Sequence, residues 1–321
     1  MEGLPLKKPL LIAAKLSVTV VVFWWVIHTL GPGGLKSLWI NARAADANGL
    51  LSGLGMFVIL IALGICRWQL LLRVQGIRIS NYRATWITAV GLFFNAFLIG
   101  ATGGDVLKAW YAAEAAPDRK PQAILSIAMD RLIGILGLLT LASVSVLFHL
   151  PVLWDDGQMR PLAILVLASP VVALLLIGVA AQRHRFATKF WWQTLWQLVP
   201  GKKLMSTLSE SYDIYGKRPG ALFIALLLSI GVHVCLVLAA WFVGGAIDIE
   251  GVRLADYFVY CPLINVFAAI PVTVGGLGLR EGAFKFFFSK QGVPDPQSVA
   301  LSLLFYAGTL VISLACGLIY L

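Results

Sequence analysis

The chain has 321 residues, of which 60% are hydrophobic and 12% are charged, and its formal net charge is +10. Soluble domains carry about 25% charged residues, so this composition excludes an ordinary soluble protein and indicates an integral membrane protein. The positive charge is typical of loops that face anionic lipid headgroups, and we do not expect a nucleic-acid partner.

Several apolar stretches are long enough to cross the hydrocarbon core of a bilayer, which takes roughly 18 residues or more of helix. They lie near 10–30, 50–72, 84–101, 124–149, 161–181, 220–244, 255–273 and 298–321. The first stretch contains Phe23, Trp24 and Trp25, and no small-residue cleavage site follows it. We therefore expect it to be a true span and not a signal peptide.

The connections between the stretches differ in charge. The 73–83 connection has basic residues and no acid, and the 182–219 connection is strongly basic. The 150–160 and 246–256 connections are acidic. Because basic loops concentrate on the cytoplasmic side, the first two are predicted to be cytoplasmic and the last two external.

Two stretches are predicted to be re-entrant hairpins. Eight full crossings would place the two basic loops on opposite sides, and a hairpin near 84–115 that enters from the cytoplasm and returns removes this conflict. A second hairpin near 255–290 enters from the outside. Each turns at a glycine pair, Gly103 and Gly104 or Gly275 and Gly276. The predicted fold is an all-α polytopic membrane protein with about six full transmembrane helices plus two oppositely oriented re-entrant helical hairpins, and both termini are cytoplasmic.

The two hairpins share a sequence pattern. Residues 95–108 read NAFLIGATGGDVLK and residues 265–280 read NVFAAIPVTVGGLGLR. Each has Asn-x-Phe, an apolar run, and Gly-Gly followed at the same spacing by a base, Lys108 or Arg280. Inverted repeats with broken helices that meet near the membrane midplane are typical of secondary transporters.

Each glycine pair is predicted to break a helix. The next helix, from about Asp105 or from about Leu279, begins with unsatisfied N–H groups and the positive end of its dipole. Such a helix start favours an anion, and Lys108 and Arg280 would strengthen the attraction. We therefore expect an anion site at each hairpin.

The acids near these sites allow two interpretations each. Asp105 either caps its helix or couples an ion, and Glu281 either pairs with Lys285 at i, i+4 or carries a proton. Asp130 and Arg131 follow several apolar residues near the start of a span. Ionisable residues inside a membrane segment favour a functional role.

Other features are predicted to be scaffold. Residues 186–200 place aromatic side chains beside lysines and predict an amphipathic helix on the cytoplasmic leaflet. Arg67 either snorkels to the interface or reaches the cavity. The cysteines and histidines lack metal-ligand spacing, and no G-x-x-x-x-G-K-[ST] loop occurs, so we expect no metal, no cofactor and no direct use of ATP.

Three motifs resemble those of one family. They are G-G-D-V-x-K from Gly103, D-R-x-x-G from Asp130 to Gly134, and P-x-x-x-G-G-L-G-x-R-E from Pro271 to Glu281. Together they resemble the lysylphosphatidylglycerol synthase transmembrane-domain family, also called the flippase-like domain family, over roughly residues 10 to 321.

This resemblance implies a single flippase-like transmembrane domain, residues 1–321, that translocates lipid in a bacterial-type cytoplasmic membrane. The best-known relatives add a soluble domain that aminoacylates phosphatidylglycerol, and this sequence shows none, which argues against lipid aminoacylation. Lys108 stands where relatives often have arginine, so a bidentate grip on phosphate is not expected there.

The resulting hypothesis is a lipid translocase whose central cavity binds an anionic headgroup. The bases expected to contact the headgroup are Lys108, Arg131 and Arg280, and the candidate ion carriers are Asp105, Asp130 and Glu281. Membrane lipids are the expected partners, and the sequence leaves open whether the chain forms a homo-oligomer.

Two alternatives remain. A membrane-embedded enzyme acting on a lipid-linked phosphate or sugar would need a nucleophile, metal ligands or an acid–base pair. The sequence shows none of these, so we expect no enzyme. An ion or small-solute secondary transporter with the same inverted repeat is the other alternative.

Overall fold

The computed structural model of the chain describes residues 33–97, 103–181, 214–268 and 276–320, together with Ser17, Trp24, His28 and Thr273. The helices in this part are α1 (Gly34–Ala44), α2 (Ala47–Val74), α3 (Asn81–Phe97), α4 (Gly103–Ala115), α5 (Lys120–Phe148), α6 (Leu150–Asp155), α7 (Arg160–Ala181), α8 (Pro219–Ala246), α9 (Leu254–Ala268), α10 (Leu279–Ser289) and α11 (Asp295–Tyr320). No strand occurs among these described residues, which agrees with the predicted all-α class.

Within the described ranges, four helices are long and apolar enough to cross a membrane: α2, α5 with the short turn before it, α8 and α11. The 28 residues of α2 extend for about 42 Å at 1.5 Å per residue, which exceeds the hydrocarbon thickness of a bilayer. The stretch predicted near 161–181 forms α7. The first predicted span, near 10–30, and the amphipathic helix near 186–200 lie outside the described residues, apart from Ser17, Trp24 and His28.

The chain divides into two compact units. The first unit comprises residues 1–65, 80–108 and 231–321, and the second comprises residues 66–79 and 109–230. Both Gly-Gly motifs therefore belong to the first unit.

In the first unit, α3 and the opening turns of α4 form an antiparallel helical hairpin. Gly104 lies against Gly91 and Asn95 of α3, and Lys108, one turn later, also lies against Gly91. A Cβ atom added to Gly104 would collide with the carbonyl oxygen of Gly91 and with the backbone nitrogen of Asn95. Only glycine permits this approach of the two helices.

This hairpin corrects the predicted role of its glycine pair. Helix α4 begins at Gly103, two residues before the predicted start at Asp105, so Gly103 and Gly104 open the helix and do not form the turn. Residues 98–102, which connect α3 to α4 in the sequence, lie outside the described residues. The physical reason for Gly104 is close helix packing, which a sequence pattern of turn residues does not reveal.

Helices α9 and α10 form a second antiparallel hairpin, which is held together by aromatic rings. Tyr260 packs against Phe287 and Phe288, with ring centroids 5.6 and 5.8 Å apart, and Tyr257 packs against Phe288 at 5.0 Å. The Gln291 side-chain amide donates a hydrogen bond to the Tyr260 hydroxyl at 2.7 Å. Buried aromatic pairs of this kind add to the free energy that area burial supplies.

The tip of the second hairpin depends on glycine conformation. Gly276 has a φ of 74°, in the left-handed region that glycine adopts readily, and Gly278 has a φ of 84°. Helix α10 then begins at Leu279, as predicted. Gly275 lies outside the described residues.

Two long segments of the chain each begin and end at residues that contact one another. In the second unit, the Arg119 guanidinium, just before α5, donates a hydrogen bond to the carbonyl oxygen of Gln75 at the end of α2, at 2.7 Å. In the first unit, the Gln297 side-chain amide at the start of α11 donates to the carbonyl oxygens of Ile247 and Asp248, just after α8, at 2.8 and 3.1 Å. The segment after α2, residues 75–119, and the segment after α8, residues 247–297, therefore each end beside the C-terminal end of the helix that they follow.

The second unit has its own apolar core. Tyr215 packs there with Leu71 and Ile133, and its hydroxyl donates a hydrogen bond to the carbonyl oxygen of Leu71 at 3.2 Å. Burial raises the pKa of the Tyr215 hydroxyl to about 12, because the charged phenolate is disfavoured away from water.

Candidate functional site

The first buried charge cluster surrounds Arg280 in the opening turn of α10. The Arg280 Nε lies 3.2 Å from both Glu281 Oε1 and Ser302 Oγ, and its Nη2 lies 2.7 Å from Glu281 Oε1. The guanidinium carbon lies 4.2 Å from the centroid of the Tyr306 ring, which is a cation–π distance. Arg280 is only 7% exposed, so its position is fixed at this helix start.

Glu281 is fully buried, and each of its contacts comes from a hydrogen-bond donor. Besides the two from Arg280, Oε1 accepts a hydrogen bond from the Ser302 hydroxyl at 3.0 Å. Oε2 accepts one from the N–H of Gly278 and so caps α10. Both carboxylate oxygens of Glu281 therefore act as hydrogen-bond acceptors. The geometry favours capping and pairing over the proton-carrier interpretation of Glu281.

Pairing of Glu281 with Lys285 was one of the interpretations that the sequence left open. Lys285 does not take the role expected from its i, i+4 spacing, and its Nζ lies 2.8 Å from Asp295 at the start of α11. The Glu281 carboxylate instead accepts hydrogen bonds from Arg280 and from the N–H of Gly278.

The base of the first hairpin is also buried. Lys108 is 9% exposed, and its aliphatic stem lies against Gly91. The cap of α4 comes from Asn95, whose Oδ1 accepts a hydrogen bond from the Gly104 N–H at 2.9 Å. Asp105 is half-buried in the first turn and accepts a longer bond of 3.4 Å from the Asn95 Nδ2. Asn95 is a site residue that the sequence analysis treated only as part of the repeat.

The two hairpins meet α11 at different levels. Arg280 contacts Ser302 and Tyr306, whereas Phe93 of α3 packs against Gly317. Tyr306 and Gly317 are about 17 Å apart along the helix at 1.5 Å per residue. Lys108 and Arg280 carry only hydrogen-bond donors, so no direct bond between them is expected, and their shared cavity stays a prediction.

Two cavities in the first unit are lined by other residues. One, of about 320 Å³, is bounded by Asp46, Trp241 and Tyr257 among others. The other, of about 210 Å³, is apolar and is bounded by residues of α2, α3 and α11 such as Val58 and Cys316. Neither lining includes a base that the sequence analysis selected.

The second buried charge cluster lies in the second unit and joins three candidate spans. Arg67 of α2 donates from Nε to Asp130 Oδ1 on α5 at 2.7 Å, and from Nη1 to the Ser229 hydroxyl on α8 at 2.9 Å. Arg67 precedes Val74, the last residue of α2, by about 11 Å of helix. The ion pair therefore lies well inside the apolar segment.

This pair corrects the expectation that Arg67 snorkels to the interface. A buried guanidinium without a partner would cost several kcal/mol, roughly the penalty of one unpaired charge, and Asp130 removes that penalty. The partners are 63 positions apart, so only the tertiary structure brings them together. Arg131 is exposed, because successive helix residues point about 100° apart and it cannot share the face of Asp130.

Two glycines on α5 make room for this cluster. A Cβ on Gly137 would collide with the Ser229 hydroxyl, so α5 and α8 approach closely there. A Cβ on Gly134 would lie 3.6 and 3.7 Å from the terminal nitrogens of Arg67, so Gly134 forms the surface beneath the guanidinium. Gly137 was missed by the sequence analysis, although small residues one turn apart on a span are a known packing signal.

Both clusters consist mainly of oppositely charged side chains. In the part of the chain that the structure describes, no three His, Cys, Asp or Glu side chains come together as metal ligands would. Each cluster instead holds a buried arginine beside a carboxylate and a serine hydroxyl. The carboxylate of each cluster balances the charge of its arginine.

Comparisons with known proteins find similarity over almost the whole chain. Residues 12–317 match the model of the family described as the lysylphosphatidylglycerol synthase TM region. A UPF0104 membrane protein of Pyrococcus horikoshii is 22% identical in an alignment of 327 positions that covers 93% of this chain and 92% of that protein. The family match includes both hairpins and both buried charge clusters.

Proposed function

Because this chain is an integral membrane protein that belongs to the lysylphosphatidylglycerol synthase TM-region family, we propose that it is a lipid translocase. It moves an anionic or phosphate-bearing lipid across the membrane. The two hairpins are re-entrant and enter from opposite faces, and the headgroup passes along a polar path that they line. The acyl chains stay in the bilayer throughout.

The observation that carries this proposal is a buried base in each of two helical hairpins. Lys108 and Arg280 are 9% and 7% exposed, and each lies within the first two turns of a new helix. The segment after α2 and the segment after α8 each return to the end of the helix that they follow, as a re-entrant element must. A buried cation inside a membrane segment is costly, and a phosphate group offers it a complementary charge.

The proposal gives the charged residues different roles. Arg280 and Lys108 contact the headgroup, and Arg131, exposed on α5, attracts it. Glu281 holds Arg280 in place. If transport is coupled to an ion, Asp105 is the first candidate among Asp105, Asp130 and Glu281, since the Asp130 and Glu281 carboxylates are each bonded to an arginine.

The proposed setting is a bacterial-type cytoplasmic membrane with both termini on the cytoplasmic side. The basic 73–83 connection and the acidic 246–256 connection support this orientation, because basic loops are retained inside.

The test is transbilayer movement in proteoliposomes. A short-chain fluorescent phosphatidylglycerol is added, and dithionite reports how much of it has left the outer leaflet. We expect Arg280→Gln to slow the movement roughly tenfold or more, the effect of removing a hydrogen bond to a charged group. Lys290→Gln, which removes an exposed base after α10, is the matched control and should leave the rate unchanged.

A second variant separates transport from folding. Arg280→Gln alone leaves Glu281 buried without its arginine, so the double variant Arg280→Gln/Glu281→Gln, which is neutral, is measured as well. We expect the double variant to recover thermal stability but not transport. Wild-type transport rates in the double variant across a panel of anionic lipids would contradict the proposal.

A further inference from the structure

We propose that α1 (Gly34–Ala44) is an interfacial helix that gathers anionic phospholipid headgroups beside the Arg280 cluster. The membrane contact follows from the structure of α1 itself. The idea that the gathered lipid is the transported one rests on the proposed translocase function.

The first observation is an apolar face that no other described part of the chain covers. Leu35, Trp39 and Ile40 are 59%, 65% and 53% exposed. Tryptophan is enriched where a membrane meets water, because its ring is apolar and its N–H is polar. A helix with this exposed face is therefore typical of the membrane interface.

The second observation is the charge on the same side. Lys36 and Arg43 are both exposed, and they share a face because seven residues make about two helical turns. Helix α1 contains no acidic residue, and neither base pairs with an acid among the described residues. Basic residues flanked by exposed apolar side chains select a surface of anionic lipids, whose phosphates complement them.

The third observation is the height of α1 along a span. Leu38, on the opposite side of α1, packs against Val299. Val299 lies about 6 Å from the start of α11, at Asp295, which is a helix long and apolar enough to cross the membrane. The contact therefore places α1 near the end of a span, where headgroups lie.

The fourth observation connects α1 to the Arg280 cluster. Val299 and Ser302 are neighbours one turn apart on α11, and the Ser302 hydroxyl contacts both Arg280 and Glu281. All of these residues belong to the first unit. Lipids held by Lys36 and Arg43, on the far side of α1 from Leu38, would thus be concentrated about one helix diameter, roughly 10 Å, from the turn that positions Arg280.

The test measures which lipids surround α1. A dye is attached to Ile40→Cys in a Cys66→Ser background, since Cys66 is the exposed cysteine and the other three are buried. The protein is reconstituted in phosphatidylcholine vesicles that contain either brominated phosphatidylglycerol or brominated phosphatidylcholine at the same mole fraction. Bromine quenches the dye only on contact.

We expect brominated phosphatidylglycerol to quench the dye more strongly, and Lys36→Gln/Arg43→Gln to abolish the preference. Each base near an anionic surface contributes roughly a fivefold enrichment at low salt. Lys290→Gln is the control that should leave the preference intact. Equal quenching by both lipids would refute the headgroup selection, and absence of quenching by either would refute the membrane contact.

Transport then separates this inference from the proposed function. We expect the Lys36→Gln/Arg43→Gln variant to slow the movement of phosphatidylglycerol at a low mole fraction and to leave it unchanged at saturation. If Arg280→Gln has no effect on transport while the dye still prefers phosphatidylglycerol, the translocase proposal fails and the interfacial helix stands. If quenching shows no preference while Arg280→Gln still slows transport, the reverse holds.

Discussion

Arg67 and Arg280 show how differently a buried arginine can be accommodated in one membrane protein. The partner of Arg280 is the next residue, and both are fixed by one helix start. The partner of Arg67 lies on another helix, and a third helix contributes Ser229. Arg67 thus joins three helical segments within the second unit, whereas Arg280 lies beside the cap of α10, at the tip of a hairpin.

The Arg67–Asp130 pair makes a prediction about stability. We expect Arg67→Met or Asp130→Asn alone to lower the free energy of unfolding by about 3–5 kcal/mol, because each leaves one charge buried without its partner. The double variant should lose much less than the sum of the two. Denaturant unfolding in detergent of all four proteins gives the double-mutant cycle. Additive losses would show that the two side chains contribute independently.

Tyr215 makes a prediction about pH. Burial raises the pKa of its hydroxyl to about 12 from the ordinary 10.0, so above pH 10 the unfolded chain loses a proton that the folded protein keeps. This contribution to stability is complete below pH 10 and is lost as the pH rises towards 12. We expect the melting temperature to fall less steeply in Tyr215→Phe than in the wild type between pH 9 and about 11.5. The exposed Tyr82→Phe should keep the wild-type slope, and a Tyr215→Phe slope equal to it would contradict the assignment.

At the scale of the helix, the two hairpins are alike in sequence but use glycine for different reasons. Gly104 allows α3 and α4 to touch, whereas Gly276 supplies a left-handed φ at the tip of the α9–α10 hairpin. Their capping also differs, since an asparagine of the preceding helix caps α4 and Glu281 caps α10 from within. The Gly-Gly motif therefore marks a helix break without specifying its geometry.

Substitution of Gly104 tests the packing reason. We expect Gly104→Ala to lower stability by about 1–3 kcal/mol, because the added methyl group overlaps backbone atoms that have no room to move. Gly55→Ala in α2 is the control, since a Cβ there meets nothing within 4 Å and the higher helix propensity of alanine should leave stability equal or greater. Equal melting temperatures of the two variants would contradict the close approach of α3 and α4.

At the scale of the whole molecule, the proposed topology rests on the charge of the loops and on two contacts between residues far apart in the sequence. Two contacts bring the ends of long segments together. Arg119 contacts Gln75, and Gln297 contacts Ile247 and Asp248. In the proposed topology each of these segments is re-entrant and adds no net crossing, which places the basic and acidic loops on the sides that the positive-inside rule predicts.

Cysteine labelling tests this topology. In the Cys66→Ser background, we expect Arg78→Cys and Asp118→Cys to react with an impermeant maleimide from the same side of the membrane. Glu250→Cys and Lys290→Cys should both react from the other side. Labelling of positions 78 and 118 from opposite sides would show that the segment between them crosses the membrane, and the re-entrant assignment would fail.

The sequence alone determined the membrane class, the approximate bounds of the helices, the two glycine motifs and the family resemblance. These follow from local properties, because hydrophobic length, loop charge and glycine content act through neighbouring residues. The start of α10 at Leu279 was predicted for the same reason.

Only the tertiary structure decided which charges meet. In the folded protein Arg67 pairs with Asp130, and Lys285 pairs with Asp295. Glu281 accepts hydrogen bonds from Gly278 and Ser302 as well as from Arg280. A buried charge must find its partner among all groups that packing brings within reach, and several of these lie far along the chain. Helix packing, which depends on side-chain shape across elements, sets those distances, and no local pattern records them.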